Sequence, residues 1–244
     1  MKINFNQSNI KFKKGTVILA SAGPGDPNLI TLKLKYIITL ADVVIFDALV
    51  NKKILKICKP NAKLIYAGKL KERKACTQSE INEWLLKYSK NNKKVLRLKG
   101  GDVSFFSRVS QEINFLKKNK IKTEILSGIT SSQASLKSAK LDFFNKSNFC
   151  NLMTGHKIIV KKNKEVNYSQ ICKNKGKIII YMGVSQIRSI VLKLISYGIN
   201  ENAKVTLIQN ASMESEKLFF TSLKKCPMFI KKNNIKSPSI IVIR

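Results

Sequence analysis

Short apolar runs alternate with segments of helical periodicity along the first half of the chain. The runs are rich in β-branched side chains, which is typical of strands buried in a parallel sheet. They predict strands at residues 16–20, 42–46, 63–67, 95–98 and 123–126. Apolar residues at helical spacing predict helices near residues 28–40, 79–90 and 108–118. This alternation predicts a first domain of the parallel α/β type.

The pattern continues after about residue 130 and predicts a second α/β domain. Its strands are expected near residues 149–154, 177–182, 205–208 and 239–243, and its helices near 131–138 and 185–197. A lysine- and asparagine-rich stretch at 157–177 interrupts the pattern and is predicted to form a loop without catalytic residues. The expected organisation is an N-terminal extension, a first domain and a second domain at residues 1–14, 15–128 and 129–244.

Glycine-rich turns lie where three of the predicted strands end. GPGDP at 23–27 and KGGD at 99–102 follow two strands of the first domain, and SGITSS at 127–132 follows a third. Glycine permits close approach of a ligand to the backbone, and open α/β sheets bind ligands at the carboxyl ends of their strands. GPGDP alone is equally explained as a sharp connection, and it is not a dinucleotide or phosphate-loop motif. The three turns together predict a site for a nucleotide-like ligand.

The net charge of +32 does little to alter the prediction of a site for a nucleotide-like ligand. Such a charge is typical of proteins that bind nucleic acid or anionic membranes. However, 41 of the 46 basic residues are lysines scattered over every segment, whereas nucleic-acid sites favour arginine and interleaved aromatic residues. We interpret most of the charge as compositional drift on solvated faces, and attraction of a polyanionic substrate remains the alternative.

The cysteines indicate neither a metal site nor a disulfide framework. The five cysteines contain no C-x-x-C pair, and with the single His156 they form no recognisable zinc set. Unpaired thiols are typical of a cytosolic protein. The apolar stretch at 16–22 is short for a signal peptide and runs directly into GPGDP, and no apolar run approaches membrane-spanning length. We therefore expect a cytoplasmic protein without a membrane partner.

Seven segments resemble, in order and spacing, the uroporphyrinogen-III C-methyltransferases of the tetrapyrrole methylase superfamily. They are AGPGDP (22–27), ADVVIFDALV (41–50), YAGK (66–69), RLKGGD (97–102), SGITSS (127–132), TGH (154–156) and YMGVS (181–185). The resemblance implies two α/β domains with S-adenosylmethionine in the cleft between them, and a homodimer. It also implies C-methylation of uroporphyrinogen III to precorrin-2, via precorrin-1, in cobalamin or siroheme biosynthesis.

The resemblance also implies which residues contact the cofactor. The matching positions are Pro24, Gly100, Gly101, Asp102, Phe105, Thr130, Ser131, Met182 and Ala211. Asp102 is suited to attract the cationic methionine moiety, and Met182 offers a soft, adaptable wall. The alternative for Met182 is an ordinary core residue.

Three further residues match positions that handle the substrate and its proton. The resemblance implies that Asp47 accepts a proton, that Lys69 donates one and that Arg108 contacts the substrate, for which a guanidinium fork suits a carboxylate. The alternatives are a helix cap or turn residue for Asp47 and a surface lysine for Lys69. An electron-rich pyrrole carbon is itself a nucleophile, so no serine or cysteine nucleophile is expected.

The chain departs from the family pattern at two places that concern the substrate. Gln111 replaces a carboxylate implicated in proton transfer, and the neighbouring Glu112 is expected to project in a different direction. The family's T-H-R segment is replaced by residues 144–146, in which Lys146 lacks a guanidinium fork. A methyltransferase acting on a later corrin intermediate, or on a protein or RNA, remains an alternative function. A basic nucleic-acid-binding protein is a more distant one.

Overall fold

The chain folds into two units, each built on a five-stranded sheet. The computed structural model describes residues 10–68, 76–144, 148–155 and 166–244. The first unit ends at Thr130, and the second comprises Ser131–Arg244. Helices accompany both sheets, so the predicted α/β fold class is confirmed.

The five strands of the first unit lie where the apolar runs predicted them. They are β1 (Val17–Ser21), β2 (Val43–Phe46), β3 (Lys63–Tyr66), β4 (Val95–Lys99) and β5 (Thr123–Leu126). Their spatial order is β3-β2-β4-β1-β5, and every neighbouring pair is parallel. The carboxyl ends of all five strands therefore lie at one edge, where the glycine-rich turns begin.

The helices of the first unit follow the predicted pattern, with two differences. They are α1 (Leu32–Leu40), α2 (Lys52–Leu55), α3 (Gln78–Lys90) and α4 (Val109–Lys118). Helix α1 begins later than the predicted residue 28, because Pro27–Leu29 form a 3-10 turn and the Thr31 hydroxyl caps the helix by accepting from the Leu34 amide at 3.1 Å. The single turn of α2 is too short for periodicity to predict.

Apolar side chains cover both faces of the first sheet. Ile18 of β1 packs on one face in a cluster with Leu34 of α1, whereas Leu19 packs on the other with Leu85 of α3 and Leu116 of α4. Burial of such side chains contributes about 1.5–3 kcal/mol each. The central strands β1 and β4 are buried along their whole length, which explains why most of their residues are apolar; Arg97 and Lys99 of β4 are buried cations.

The second unit contains a mixed sheet. Its strands are β6 (Cys150–Thr154), β7 (Lys177–Tyr181), β8 (Lys204–Gln209), β9 (Lys217–Ser222) and β10 (Ser239–Ile243), in the order β6-β7-β10-β8-β9. Its helices are α5 (Ser131–Ser138), α6 (Tyr168–Lys173), α7 (Ile187–Ser196) and α8 (Cys226–Lys232). Ile180 and Ile241 of the sheet pack with Ile190 and Leu194 of α7. No helix within the described ranges has the length and apolar character needed to cross a membrane.

Three elements of the second unit were not predicted. Strand β9 lies at a sheet edge with Leu218 and Phe220 exposed, so its sequence lacks alternation. Helices α6 and α8 are too short for a clear period. The loop predicted at 157–177 is wrong where α6 forms, because Asn167 caps that helix by accepting from the Gln170 amide. The part of that stretch up to residue 165 lies outside the described residues.

Strands β6, β7 and β8 run in one direction. Strand β6 pairs parallel with β7, and β10 pairs antiparallel with both β7 and β8. The carboxyl ends of β6, β7 and β8 therefore share one edge of the second sheet. Met182 and Ala211 follow β7 and β8 at that edge.

Candidate functional site

The two glycine-rich turns of the first unit are hydrogen bonded to each other. The Gly23 amide donates to the Gly101 carbonyl oxygen at 3.1 Å, and the Gly101 amide donates to the Gly23 carbonyl oxygen at 2.7 Å. Both glycines have left-handed backbone angles, with φ of 74° and 70°, which residues with a Cβ rarely adopt. Pro24 is half-buried in the first turn. The structure thus brings together two turns that the sequence predicted to share a site.

Asp102 is buried and holds the ends of three strands together. Its Oδ1 accepts from the Ser104 amide and hydroxyl, and its Oδ2 accepts from the Gly128 amide at 2.6 Å and from the Ser21 hydroxyl at 3.3 Å. Burial raises the pKa of Asp102, but the hydrogen bonds from Ser104, Gly128 and Ser21 outweigh burial and leave that pKa below its ordinary value. A negative charge therefore lies directly beside the glycine turns.

Close packing explains two glycines of these turns. A Cβ on Gly128 would lie 2.6 Å from Cβ of Ser21, and a Cβ on Gly100 would lie 2.5 Å from Cβ of Leu49. Any larger residue would force the strand ends apart. Gly100 and Gly128 therefore fix the distance between neighbouring turns, a role that the motif alone did not reveal.

Three more residues predicted to contact a cofactor, Phe105 and Thr130 of the first unit and Ser131 of the second, have different exposures. Phe105 follows the second turn and is 36% exposed. Thr130 is buried, and Ser131 is the first residue of α5. Phe106, next to Phe105, has a left-handed φ of 48°, which is a strained conformation for an aromatic residue.

Asp47 lies at the end of β2, next to the second glycine turn. Its Oδ1 accepts from the Leu49 amide at 3.1 Å and from the Gly100 amide at 3.3 Å, while Arg97 Nη2 lies 4.0 Å from its Oδ2. Its side chain is 26% exposed. Asp47 therefore does stabilise a turn, but it does not cap α2, whose cap is Asn51. One carboxylate oxygen is anchored, and the other is not hydrogen bonded to any donor among the described residues.

A buried charge cluster lies behind Asp47. It consists of Arg97 and Lys99 of β4 and Glu112 of α4, which are 3%, 7% and 0% exposed. Glu112 Oε1 lies 3.3 Å from Arg97 Nε and 3.1 Å from Lys99 Nζ. Burial and the neighbouring Arg97 lower the pKa of Lys99, against the attraction of Glu112. Sequence reasoning missed this cluster; the signal was two cations spaced by two residues, and so on one face, in an otherwise apolar strand.

Glu112 does point in a different direction from Gln111, as expected, but that direction is toward the site. Gln111 is exposed on α4, whereas Glu112 is completely buried against the cations of β4. Arg108 is exposed at the N-cap position of α4 and makes no side-chain capping hydrogen bond. Lys69 and Lys146 lie outside the described residues.

Met182 lies at the end of β7 in a strained turn. Its φ is 52° and it is 42% exposed, so the alternative that Met182 is a core residue is wrong. The turn packs tightly, because a Cβ on Gly155 would lie 2.5 Å from Gly183 Cα and 2.9 Å from the Met182 carbonyl oxygen. Glycine at 155, in the TGH segment, therefore permits this contact between the ends of β6 and β7.

Ala211 lies at the end of β8 in a second strained turn. It is buried between Asn210 and Ser212, which have φ of 53° and 65°. Glu216 holds this turn, because its Oε2 accepts from the Ser212 amide at 2.6 Å and from the Ser138 hydroxyl at 2.8 Å. Sequence reasoning did not identify Glu216, which lies in a segment without a motif.

Comparison with known proteins places these features in a family. Residues 16–227 match the model for Tetrapyrrole (Corrin/Porphyrin) Methylases. The uroporphyrinogen-III C-methyltransferase of Bacillus subtilis is 36% identical over 94% of this chain and 90% of its own length. The siroheme synthase of Nitrosomonas europaea is 32% identical over 97% of this chain, which spans half of that relative. The uroporphyrin-III C-methyl transferase from Thermus thermophilus, solved in complex with S-adenyl homocysteine, is 25% identical with a TM-score of 0.77, over 93% of this chain and 91% of that chain. The chain belongs to the tetrapyrrole (corrin/porphyrin) methylase family.

Proposed function

We propose that this protein transfers methyl groups from S-adenosylmethionine to carbon atoms of uroporphyrinogen III, giving precorrin-2 via precorrin-1. The observation that carries the proposal is the direct link between Asp47 and the second glycine turn, through the Gly100 amide. A proton acceptor and a cofactor-binding turn are thereby held in one fixed geometry. The names of the relatives supply the substrate, and siroheme and cobalamin are the expected end products.

The residues of the glycine turns fit S-adenosylmethionine. Gly23 and Gly101 have left-handed backbone conformations and no Cβ that would obstruct a ligand, and Asp102 supplies a negative charge for the cationic methionine moiety. Phe105 and Met182 offer exposed apolar surface to the uncharged parts of the cofactor. The residues proposed to hold it are Pro24, Gly100, Gly101, Asp102, Phe105, Thr130, Ser131, Met182 and Ala211. When bound, S-adenosylmethionine supplies an activated methyl group to a carbon nucleophile.

Asp47 is proposed to take up the proton that the substrate carbon skeleton loses after methylation. Its Oδ1 is anchored by two backbone amides, so the side chain keeps one orientation. Oδ2 is the oxygen that accepts the proton in this proposal. Arg108, exposed at the start of α4, is proposed to bind a substrate carboxylate, and Lys69 to donate a proton. Alignment of the reacting atoms supplies the remaining acceleration of methyl transfer.

The activity is tested with uroporphyrinogen III and S-adenosylmethionine carrying a labelled methyl group. Wild-type protein should transfer label to the tetrapyrrole. Asp47→Asn should bind S-adenosylhomocysteine normally in calorimetry but turn over about 10²- to 10⁴-fold more slowly, as expected for a lost general base. Full turnover by Asp47→Asn would exclude Asp47 as the proton acceptor.

A matched control is Glu201→Gln, which removes one carboxylate from an exposed pair with Lys224, where N and O lie 3.0 Å apart. It should leave turnover unchanged, because surface pairs contribute little. Wild-type protein that binds S-adenosylhomocysteine but leaves uroporphyrinogen III unmodified would favour a different tetrapyrrole substrate within the family.

The family resemblance further supports a cytoplasmic homodimer. Light scattering during size-exclusion chromatography should give twice the chain mass of 27.6 kDa. A mass equal to one chain would refute the dimer without affecting the proposed activity.

A further inference from the structure

The cluster of Arg97, Lys99 and Glu112 contains more charge than packing requires. Its two cations face two carboxylates, since Asp47 lies at its outer end. Glu112 Oε2 is buried and has no hydrogen-bond partner within the described part of the chain. Buried ion pairs of this kind are often no more stabilising than apolar residues of similar volume. The cluster therefore calls for a role besides stability.

The guanidinium of Arg97 is fixed from three sides. Its Nη1 donates to the carbonyl oxygens of Ile45 and Leu98 at 3.3 and 3.1 Å, and its Nε donates to Glu112 Oε1 at 3.3 Å. These contacts leave Nη2 at 4.0 Å from Asp47 Oδ2. That separation exceeds a hydrogen bond, which spans about 2.7–3.2 Å for N–H···O.

We propose that Glu112 is a positioning residue for proton transfer: by anchoring Arg97 it holds the guanidinium back from Asp47 Oδ2, so that this oxygen is free to accept the proton. The inference rests on the proposed function, in which Asp47 is the proton acceptor. Glu112 does not touch the reacting atoms in this arrangement. It acts through Arg97.

Loss of the Glu112 charge should change the partner of Arg97. Arg97 and Lys99 would then face Asp47 as their only carboxylate among the described neighbours, and Coulomb attraction would draw the guanidinium toward it. A close Arg97–Asp47 pair would occupy Oδ2. Asp47 Oδ2 would then be unavailable to the proton, while Asp47 Oδ1 would keep its hydrogen bond from the Gly100 amide in the second glycine turn.

Two variants test the proposal, Glu112→Gln and the double variant Lys99→Met/Glu112→Gln. The double variant removes one cation and one anion, so the buried charge stays balanced and the fold is retained even where the single variant is unstable. Both should keep the wild-type KM and the wild-type affinity for S-adenosylhomocysteine but lose kcat by roughly 10²-fold. A folded double variant with wild-type kcat would overturn the proposal.

A double-mutant cycle separates positioning from general damage. If Glu112 acts through Asp47, adding Glu112→Gln to Asp47→Asn should cause no further loss of kcat. A further loss equal to that of Glu112→Gln alone would also overturn the proposal. The matched control is Glu124→Gln on β5, which removes a carboxylate from an exposed pair with Lys33 of α1 and should leave kcat unchanged.

The same experiments distinguish failure of this inference from failure of the proposed function. The proposed function fails if wild-type protein does not methylate uroporphyrinogen III or if Asp47→Asn is fully active. The inference on Glu112 fails by itself if wild-type protein is active, Asp47→Asn is impaired and the charge-balanced double variant is not.

Discussion

A carboxylate supports the strand-end turns of each sheet, Asp102 in the first and Glu216 in the second, but these two carboxylates do so differently. Asp102 uses both oxygens, which accept from Ser104, Gly128 and Ser21. Glu216 uses only Oε2, which accepts from Ser212 and Ser138. Asp102 is 5% exposed, whereas Glu216 is half-buried. The first set of turns is thus held by a buried carboxylate through both of its oxygens, and the second is held by a half-buried carboxylate through one oxygen.

The turns themselves differ in the same way. Within the turns of the first sheet the left-handed residues are Gly23 and Gly101, and Phe106 follows the second turn with φ of 48°, whereas the second sheet has Met182, Asn210 and Ser212 at its left-handed positions. A residue with a side chain in that region carries strain, which proteins retain mainly where the side chain is needed. The left-handed positions within the first set of turns therefore carry no side chain, and those of the second set do.

The strongest test of this comparison replaces Asp102 by asparagine. An asparagine amide oxygen can serve only one side of the former carboxylate, so the NH2 group would face donors on the other side. We expect Asp102→Asn to lower the free energy of unfolding by about 2 to 3 kcal/mol in urea titrations at pH 7. A loss of less than about 0.5 kcal/mol would show that Asp102 does not hold the turns.

The effect should disappear in acid. The pKa of folded Asp102 lies below its ordinary value of 3.8, so its ionised form stabilises the protein above that pH. As pH falls through the lowered pKa, the carboxyl is protonated in both folded and unfolded states and the contribution is lost. The difference in unfolding free energy between wild type and Asp102→Asn should therefore be constant from pH 5 to 7 and shrink below about pH 3.8.

The matching change in the second sheet, Glu216→Gln, should have a smaller effect. A glutamine amide oxygen can accept from both Ser212 and Ser138, because both donors meet one oxygen in the native protein. Only the charge assistance is lost, so we expect a decrease of about 0.5 to 1 kcal/mol in the same urea titrations. Glu216→Ala should cost more, because it removes the oxygen that accepts both hydrogen bonds. Equal effects of Asp102→Asn and Glu216→Gln would contradict the distinction between the two carboxylates.

The fold was more predictable from the sequence than the hydrogen bonds by which Asp102 and Glu216 hold the turns. Most residues of strands β1 and β4 are apolar because both faces of these strands are buried, and the glycines mark where they end. Strand β9 was missed because it lies at an edge with Phe220 exposed, and edge strands need no buried pattern. The central, buried elements were therefore the predictable ones.

The motifs of the candidate site stood out in the sequence, but the contacts that support them did not. GPGDP and KGGD stand out locally, whereas Ser21 and Asp102 are 81 residues apart and meet only in the folded sheet. Glu112 likewise pairs with Arg97 across 15 residues and was judged from its neighbour, Gln111. Hydrogen bonds over such separations depend on strand order, which one sequence without its fold does not reveal.

The smallest expected effect concerns Met182, whose left-handed conformation distinguishes the second set of turns from the first. Its side chain is 42% exposed, so its removal loses little burial. Glycine would relieve about 1–2 kcal/mol of backbone strain, but it would raise the conformational entropy of the unfolded chain by about 0.5–1 kcal/mol. The net change in stability should therefore be small and favourable.

We expect Met182→Gly to raise the free energy of unfolding by about 0.5 kcal/mol while weakening S-adenosylhomocysteine binding in calorimetry, because the glycine relieves strain but removes the apolar contact. Lys175→Gly is the matched control, since exposed Lys175 also has a left-handed φ, 48°, but lies at no proposed contact. It should be stabilised to a similar degree and bind S-adenosylhomocysteine as wild type does. If Met182→Gly and Lys175→Gly behave alike in both measurements, the strain at Met182 serves the turn rather than the ligand, and the contrast between turns with glycine and turns with side chains at their left-handed positions is wrong.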